Sequence, residues 1–273
     1  MIKCGDWLIG VCTWSLGNDL DTIEALRRQT GLNHIHLAMS PALGADGNDY
    51  IDRIQEEGWS ITATMIDFEQ EDYSTLESIK ATGGIVPDQY WRQNQKRVLD
   101  AIDITAELGV KYLTLHFGFI DIKDSNKAEK LLKRVRTLSD AAARQNVQLL
   151  METGQETAGQ LREFLEELNH PALAVNFDPA NMILYDKGDP LEAVGTLGDW
   201  IKHVHIKDAV RTKVPGTWGA EAAWPTGEVG GAEFLKALEG IGFTGALAIE
   251  REAGDDRFGD IKAAIGALTG DTI

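Results

Sequence analysis

The sequence predicts one α/β domain, a closed (β/α)8 TIM barrel spanning residues 1–273, and three observations predict it. Short apolar runs alternate with helix-patterned segments from end to end, the signature of a parallel sheet with right-handed crossovers. Eight such strand–helix units fit within about 250 residues, the usual length of such a barrel. No Pro/Ser-rich linker or low-complexity tract divides them. The rival architecture is an open doubly wound sheet. It is disfavoured because no Gly-rich fingerprint follows the first strand.

The units can be justified in order. Trp7 to Leu16 (WLIGVCTWSL) reads as the first strand, and Asp19 or Asp21 caps a helix to about Gln29 that Gly31 ends. HIHLAM, His34 to Met39, is the second strand; a Gly/Asp/Pro-rich loop and a helix from about Asp49 to Glu57 follow. The third strand is Ser60 to Phe68. A long connection, Glu69 to Asp88, carries a short helix near Ser74 to Lys80 and a break at Gly83 and Gly84. Asp88 to Leu108 is a long helix, and Lys111 to Phe117 the fourth strand. Leu131, Leu132, Val135, Leu138 and Ala142 stand at helical spacing and predict a helix over Ser125 to Gln145. Val147 to Thr153, Leu173 to Asp178, Trp200 to Lys207 and Ala246 to Glu250 are strands five to eight. Their helices are Thr157 to Leu168, Asp189 to Leu197, Ala232 to Gly240 and Asp256 to Leu268. A long loop from Asp208 to Gly230 follows strand seven.

Composition narrows the function classes. With 43% hydrophobic and 25% charged residues the chain is ordinary globular material. Its formal net charge of −17 repels polyanions, and no basic stripe compensates, so a nucleic-acid partner is not expected. The first residues lack a signal-peptide layout, and no run approaches the ~20 apolar residues of a membrane span. A soluble cytoplasmic protein without a membrane partner is the expectation. Cys4 and Cys12 have neither metal-finger spacing nor a disulfide framework, and read as small buried hydrophobes.

The stretch WIKHVHIKD, Trp200 to Asp208, raises the chemical question. On a strand His203, His205 and Lys207 share one face. A strand buried on both faces normally reads as apolar, so its polar groups need a reason. Three other strands also end in an acid: Glu152, Asp178 and Glu250 close strands five, six and eight. Active sites of such barrels lie where strands end. Three carboxylates and one imidazole converging there would repel one another, and one divalent metal ion resolves that. The thiol-free oxygen and nitrogen set makes Mn²⁺ the first choice, with Mg²⁺, Co²⁺ or Zn²⁺ as alternatives.

The segments NFDPANMILY, HVHIKDA and WPTGEVGGAEFLKALEGIGFTGALAIERE resemble the sugar phosphate isomerase/epimerase superfamily, the xylose isomerase-like TIM barrels. That group includes ketose 3-epimerases, hydroxypyruvate isomerase and inosose dehydratase, with an endonuclease IV branch farther off. The resemblance implies metal ligation by Glu152, Asp178, His205 and Glu250, with Glu152 and Glu250 doubling as acid/base groups. It also aligns Arg211 with a family arginine and suggests a homodimer or homotetramer.

The implied activity is a divalent-metal-dependent isomerase or epimerase of a small carbohydrate, sugar or sugar phosphate. One glutamate removes a proton beside the carbonyl, an enediolate forms, and the other returns a proton. Which glutamate is the base stays open. If a leaving group sits β to the carbonyl, the same chemistry becomes that of a lyase or dehydratase acting on a keto-sugar, keto-glycoside or inosose. Asn181 stands where both the endonuclease branch and the ketose 3-epimerases carry a histidine, which removes most support for DNA hydrolysis.

Around this centre His116, Lys207, Asn181, Arg211 and Trp14 are candidate substrate contacts. His116 and His203 each have a structural alternative, Lys207 a solvated one, and Trp14 a packing one. Trp218 and Trp224 form either a lid or an oligomer contact. His34 is read as structural and His36 is left open. Lys207, Arg211 and Arg251 with GEVGGAEF leave a phosphorylated substrate open as well.

Overall fold

The computed structural model describes residues 2–120 and 125–270. Eight parallel strands close into a barrel: β1 Trp7–Cys12, β2 His34–Ala38, β3 Ser60–Ile66, β4 Tyr112–Leu115, β5 Gln148–Glu152, β6 Leu173–Phe177, β7 Ile201–Ile206 and β8 Ala246–Ile249. Each pairs with its neighbour in sequence, and β8 returns to β1. A two-residue strand, Lys3–Cys4, adds an antiparallel edge to β1. Among the described residues no helix is long and apolar enough to cross a membrane.

Strand periodicity places the core. Ile9, Val11, Leu113, Leu115, Leu149, Met151, Val175, Phe177, Val204, Ile206, Leu247 and Ile249 alternate along their strands and are all buried in the apolar core. Phe177, for example, stacks on Phe234 of the helix Gly231–Gly240, with ring centroids 5.9 Å apart. The residues between them point the other way. His36, Thr114, Asn176, His203 and His205 are wholly buried and meet one another across the barrel. Branched aliphatics usually fill such an interior; here much of the filling is polar.

The elements differ from their sequence reading mainly at the ends. The first strand stops at Cys12, because Thr13–Leu16 tightens into a 3₁₀ turn that left-handed Gly17 closes. Strand seven begins at Ile201, after a 3₁₀ turn over Gly198–Trp200. The helix expected from Asp49 starts at Gly47, which lies so close to Ala42 that a Cβ there would collide with its carbonyl. The short helix in the third connection is Leu76–Thr82, capped reciprocally by Thr75 and Ser78. A helix absent from the sequence reading, Pro179–Leu184, follows β6 at once; Asp178 caps it and Pro179 opens it.

The long loop after β7 is more ordered than its composition suggests. Asp208–Val210 and Ala220–Ala222 form an antiparallel ladder. The buried Asp208 carboxylate accepts backbone N–H groups from Ala209, Gly227 and Val229 at 2.8, 2.8 and 3.0 Å. One side chain thus ties both ends of the loop together. Replacing it strands two buried donors and one half-buried one, the buried ones each worth about 1–3 kcal/mol if left unpaired. Asp208→Ala should lower the urea midpoint by the equivalent of about 3 kcal/mol or more, and a shift under about 0.5 kcal/mol would contradict the anchoring role.

Candidate metal centre

Glu152 ends β5, Asp178 follows β6, His205 lies in β7, and Glu250 follows β8. Four ligand atoms from these residues lie within 4.8 Å of one another. His205 Nδ1 is 3.4 Å from Glu152 Oε1, 3.6 Å from Asp178 Oδ2 and 3.2 Å from Glu250 Oε2. The four residues predicted from separate strand ends are therefore brought together.

Each carboxylate is held through one oxygen, and Asp178 and Glu250 turn the other toward His205. Trp14 Nε1 donates to Glu250 Oε1 at 2.6 Å, Asn181 Nδ2 to Glu152 Oε1 at 3.0 Å, and the Asn181 backbone N–H to Asp178 Oδ1 at 3.0 Å. Glu152 Oε2, Asp178 Oδ2 and Glu250 Oε2 are buried without a hydrogen-bond partner. Orphaned buried oxygens of this kind are costly. Lys207 Nζ, 3.0 Å from Glu250 Oε2 and 3.9 Å from Asp178 Oδ2, supplies one positive charge against three negative ones. A divalent cation balances the remainder, and its preference for carboxylate oxygen plus imidazole nitrogen matches these donors. The residues present fit such an ion.

The titration of the groups follows the same imbalance. Burial pushes the Asp178 carboxyl up to about 6, despite Lys207. Burial also raises Glu250, but Lys207 and His205 outweigh it and hold that carboxyl well below its usual range. Glu152 is held low by His116 and His205 against the same burial. Burial opposes charge on His205, yet Cys12, Glu250 and Glu152 raise it well above the usual imidazole range. Without a cation, a proton on His205 takes part of its place.

Below the carboxylates a buried polar chain fixes His205. Its Nε2 lies 3.0 Å from His36 Nδ1 and 3.1 Å from Asn176 Nδ2. His36 Nε2 meets Thr114 Oγ1 at 2.9 Å, and Thr114 donates to the Thr64 carbonyl. Asn176 reaches His203 Nδ1 at 2.8 Å, and His203 Nε2 meets Thr62 Oγ1 at 3.0 Å. Burial holds His36 and His203 far below the ordinary imidazole range, so both stay neutral. Neutral His36 offers Nδ1 as acceptor for the His205 Nε2–H. That leaves the His205 Nδ1 lone pair facing the carboxylates. His36, left open from sequence, belongs to this support.

A cavity of about 690 Å³ opens above the centre. Trp14, His116, Asn181 and Lys207 line it, together with Glu152 and Glu250. Asp178 and His205 stand behind them. His116 Nε2 is 3.8 Å from Glu152 Oε2, while its Nδ1 has no partner. Lys207 is also 2.7 Å from Glu252. Arg211 is placed elsewhere: its guanidinium pairs with Asp186 and donates to the Gly188 carbonyl, and it does not line the cavity. The two tryptophans separate. Trp218 lines the cavity against Tyr185, ring centroids 4.6 Å apart, whereas Trp224 is buried against Phe234. Tyr185 and Glu71, both in the wall, were missed from sequence. Neither ends a strand, and no spacing pointed to them.

The model of the xylose isomerase-like TIM barrel family matches residues 45–269. No curated protein matches the chain. A xylose isomerase domain protein from Planctomyces limnophilus is 30% identical over 97% of this chain and 96% of its own, with a TM-score of 0.89. A xylose isomerase-like TIM barrel protein from Mycobacterium smegmatis, solved in complex with magnesium, is 19% identical over 99% of both chains, TM-score 0.73. An L-ribulose 3-epimerase is 17% identical over 96% of this chain and 94% of its own, TM-score 0.71.

Two outcomes test the centre. Calorimetric Mn²⁺ titration should weaken as pH falls through about 6, where a proton on Asp178 competes with the cation; affinity flat from pH 5 to 8 would contradict the assignment. His36→Leu, which removes the acceptor of the His205 Nε2–H, should cost ~10–100-fold in Mn²⁺ affinity with the circular dichroism unchanged.

Proposed function

The chain belongs to the xylose isomerase-like TIM barrel family, and on that premise we propose that it is a divalent-metal-dependent isomerase or epimerase of a small sugar. One observation carries the reading. Of the four clustered residues only Glu152 and Glu250 face the cavity, while Asp178 and His205 stand wholly behind. Two residues therefore only hold, and two hold while also reaching a bound molecule. That division is what acid/base chemistry by glutamate requires.

A cation bound by these four residues supplies Lewis-acid stabilisation of the negative charge that develops on the carbonyl and neighbouring hydroxyl oxygens. Mn²⁺ is the proposed ion; the magnesium in the Mycobacterium smegmatis relative fits the same preference for oxygen donors. The protein supplies the rest. Glu152 stands on β5 and Glu250 beyond β8, on opposite sides of the two ligands between them. One takes the carbon-bound proton and the other returns one to the opposite face. Trp14 and Asn181 each hold one oxygen of these glutamates, so the remaining oxygen is aimed. Lys207, beside Glu250, keeps that carboxylate ionised and ready to accept. The L-ribulose 3-epimerase of the same fold performs a reaction of this class and supports the reading.

A lyase or dehydratase is the second reading, and His116 favours it. His116 lines the cavity with its Nε2 3.8 Å from Glu152 Oε2, where it can protonate a leaving group.

Incubating ketoses with the Mn²⁺-loaded protein in D₂O separates the two. Deuterium at the carbon beside the carbonyl, without loss of water or aglycone, is the expected result; elimination instead selects the lyase. Glu152→Gln and Glu250→Gln should each slow exchange by ~10²–10⁴-fold while retaining metal. Full exchange in either variant removes that glutamate from the mechanism.

A further inference from the structure

We propose that the substrate carries no anionic group: the cavity takes a neutral polyhydroxylated carbonyl compound and rejects its phosphorylated counterpart. This rests on the isomerase reading of the same site and adds the substrate's charge.

Three observations carry it. First, seven carboxyl groups line the cavity against a single lysine. The proposed cation offsets two of these charges and Lys207 a third. Arg97 and Arg251 add two more behind the wall, so the excess stays negative and opposes a phosphate dianion.

Second, among the described residues the cations that line or back the cavity wall are already engaged. Lys207, 4% exposed in its side chain, lies 2.7 Å from Glu252 and 3.0 Å from Glu250. Arg251 donates to Glu221 at 2.7 Å and Asp260 at 2.8 Å. Arg97 donates to Ser40 and to the Asp67 backbone and carboxylate. Arg211 is turned away onto Asp186. None of these three guanidiniums is left for the paired hydrogen bonds that phosphate binding favours.

Third, the phosphate position common to such barrels is filled by the protein itself. In many TIM barrels the loops after the last two strands and a helix N-terminus hold the phosphate. Here the N–H groups of Gly227 and Val229, just before the helix Gly231–Gly240, donate to the Asp208 carboxylate. The Trp224 ring packs so closely over Gly231 that a Cβ there would lie 2.9 Å from it. An internal carboxylate thus occupies the anion site, and an indole covers it.

What the cavity does offer suits a neutral polyol. Trp14, Tyr185 and Trp218 line it with ring surface, and Asn18 and Asn181 add uncharged amide side chains. These are donors for hydroxyls and platforms for the C–H face of a sugar.

The test uses Mn²⁺-loaded protein and matched pairs: D-fructose with D-fructose 6-phosphate, and D-ribulose with D-ribulose 5-phosphate. Calorimetry should give at least about tenfold tighter binding to the neutral member, and Mn²⁺ should not broaden the ³¹P resonance of inorganic phosphate saturably. A phosphorylated member binding as tightly as its neutral partner, or saturable ³¹P broadening, overturns the proposal. Deuterium exchange in the same samples reports on the isomerase reading separately. A neutral sugar that binds without exchange sinks that reading and leaves the charge selectivity standing. Glu252→Gln, which releases Lys207 from its nearest carboxylate, should raise phosphate affinity by about tenfold. Unchanged affinity would remove Glu252 as the screen.

Discussion

The structure depends on one electrostatic constraint: three buried carboxylates and an imidazole are pressed to within one ion's reach, with a single lysine to offset the three negative charges. Such an arrangement is unfavourable alone. The surroundings are organised to tolerate it. Trp14 and Asn181 pin the outer oxygens, Lys207 offsets one charge, and the histidine beneath is steered by neutral His36. A barrel interior filled with Val and Ile could pack as densely, but it would leave His205 free to present either nitrogen. The polar filling thus sets an orientation that packing alone leaves open.

Much of this was legible in the sequence because a strand repeats every two residues. Once β7 was identified, the alternation alone put His203, His205 and Lys207 on the interior face and Val204 and Ile206 against the helices. The same rule placed Glu152 and Glu250 at the rim. The eightfold alternation favoured a closed barrel over an open sheet, and the pairing of β8 with β1 closes it.

What the sequence did not reveal are features that no period encodes. Pro179–Leu184 is too short to show helical spacing, so the second role of Asp178, as its N-cap, was hidden. Arg211 was placed by alignment with a family position, but the side chain follows the nearest carboxylate, Asp186, away from the cavity. Trp218 and Trp224 looked equivalent in a Gly/Pro-rich loop. They diverge because the ladder between Asp208–Val210 and Ala220–Ala222 ends between them. Tertiary pairing, not local composition, decided each of these.

The anchoring of that loop has an evolutionary consequence. Asp208 and the ladder clamp both ends of the segment directly after the strand that carries His205, so residues 211–219 form a tip fastened at its base. Changes in the length or chemistry of this tip, including the ring that Trp218 sets over the cavity, leave the four clustered side chains where they are. The molecule thereby separates a fixed charge cluster from a replaceable loop tip. Rewriting these nine residues reshapes the cavity wall with no renegotiation of the charge balance beneath.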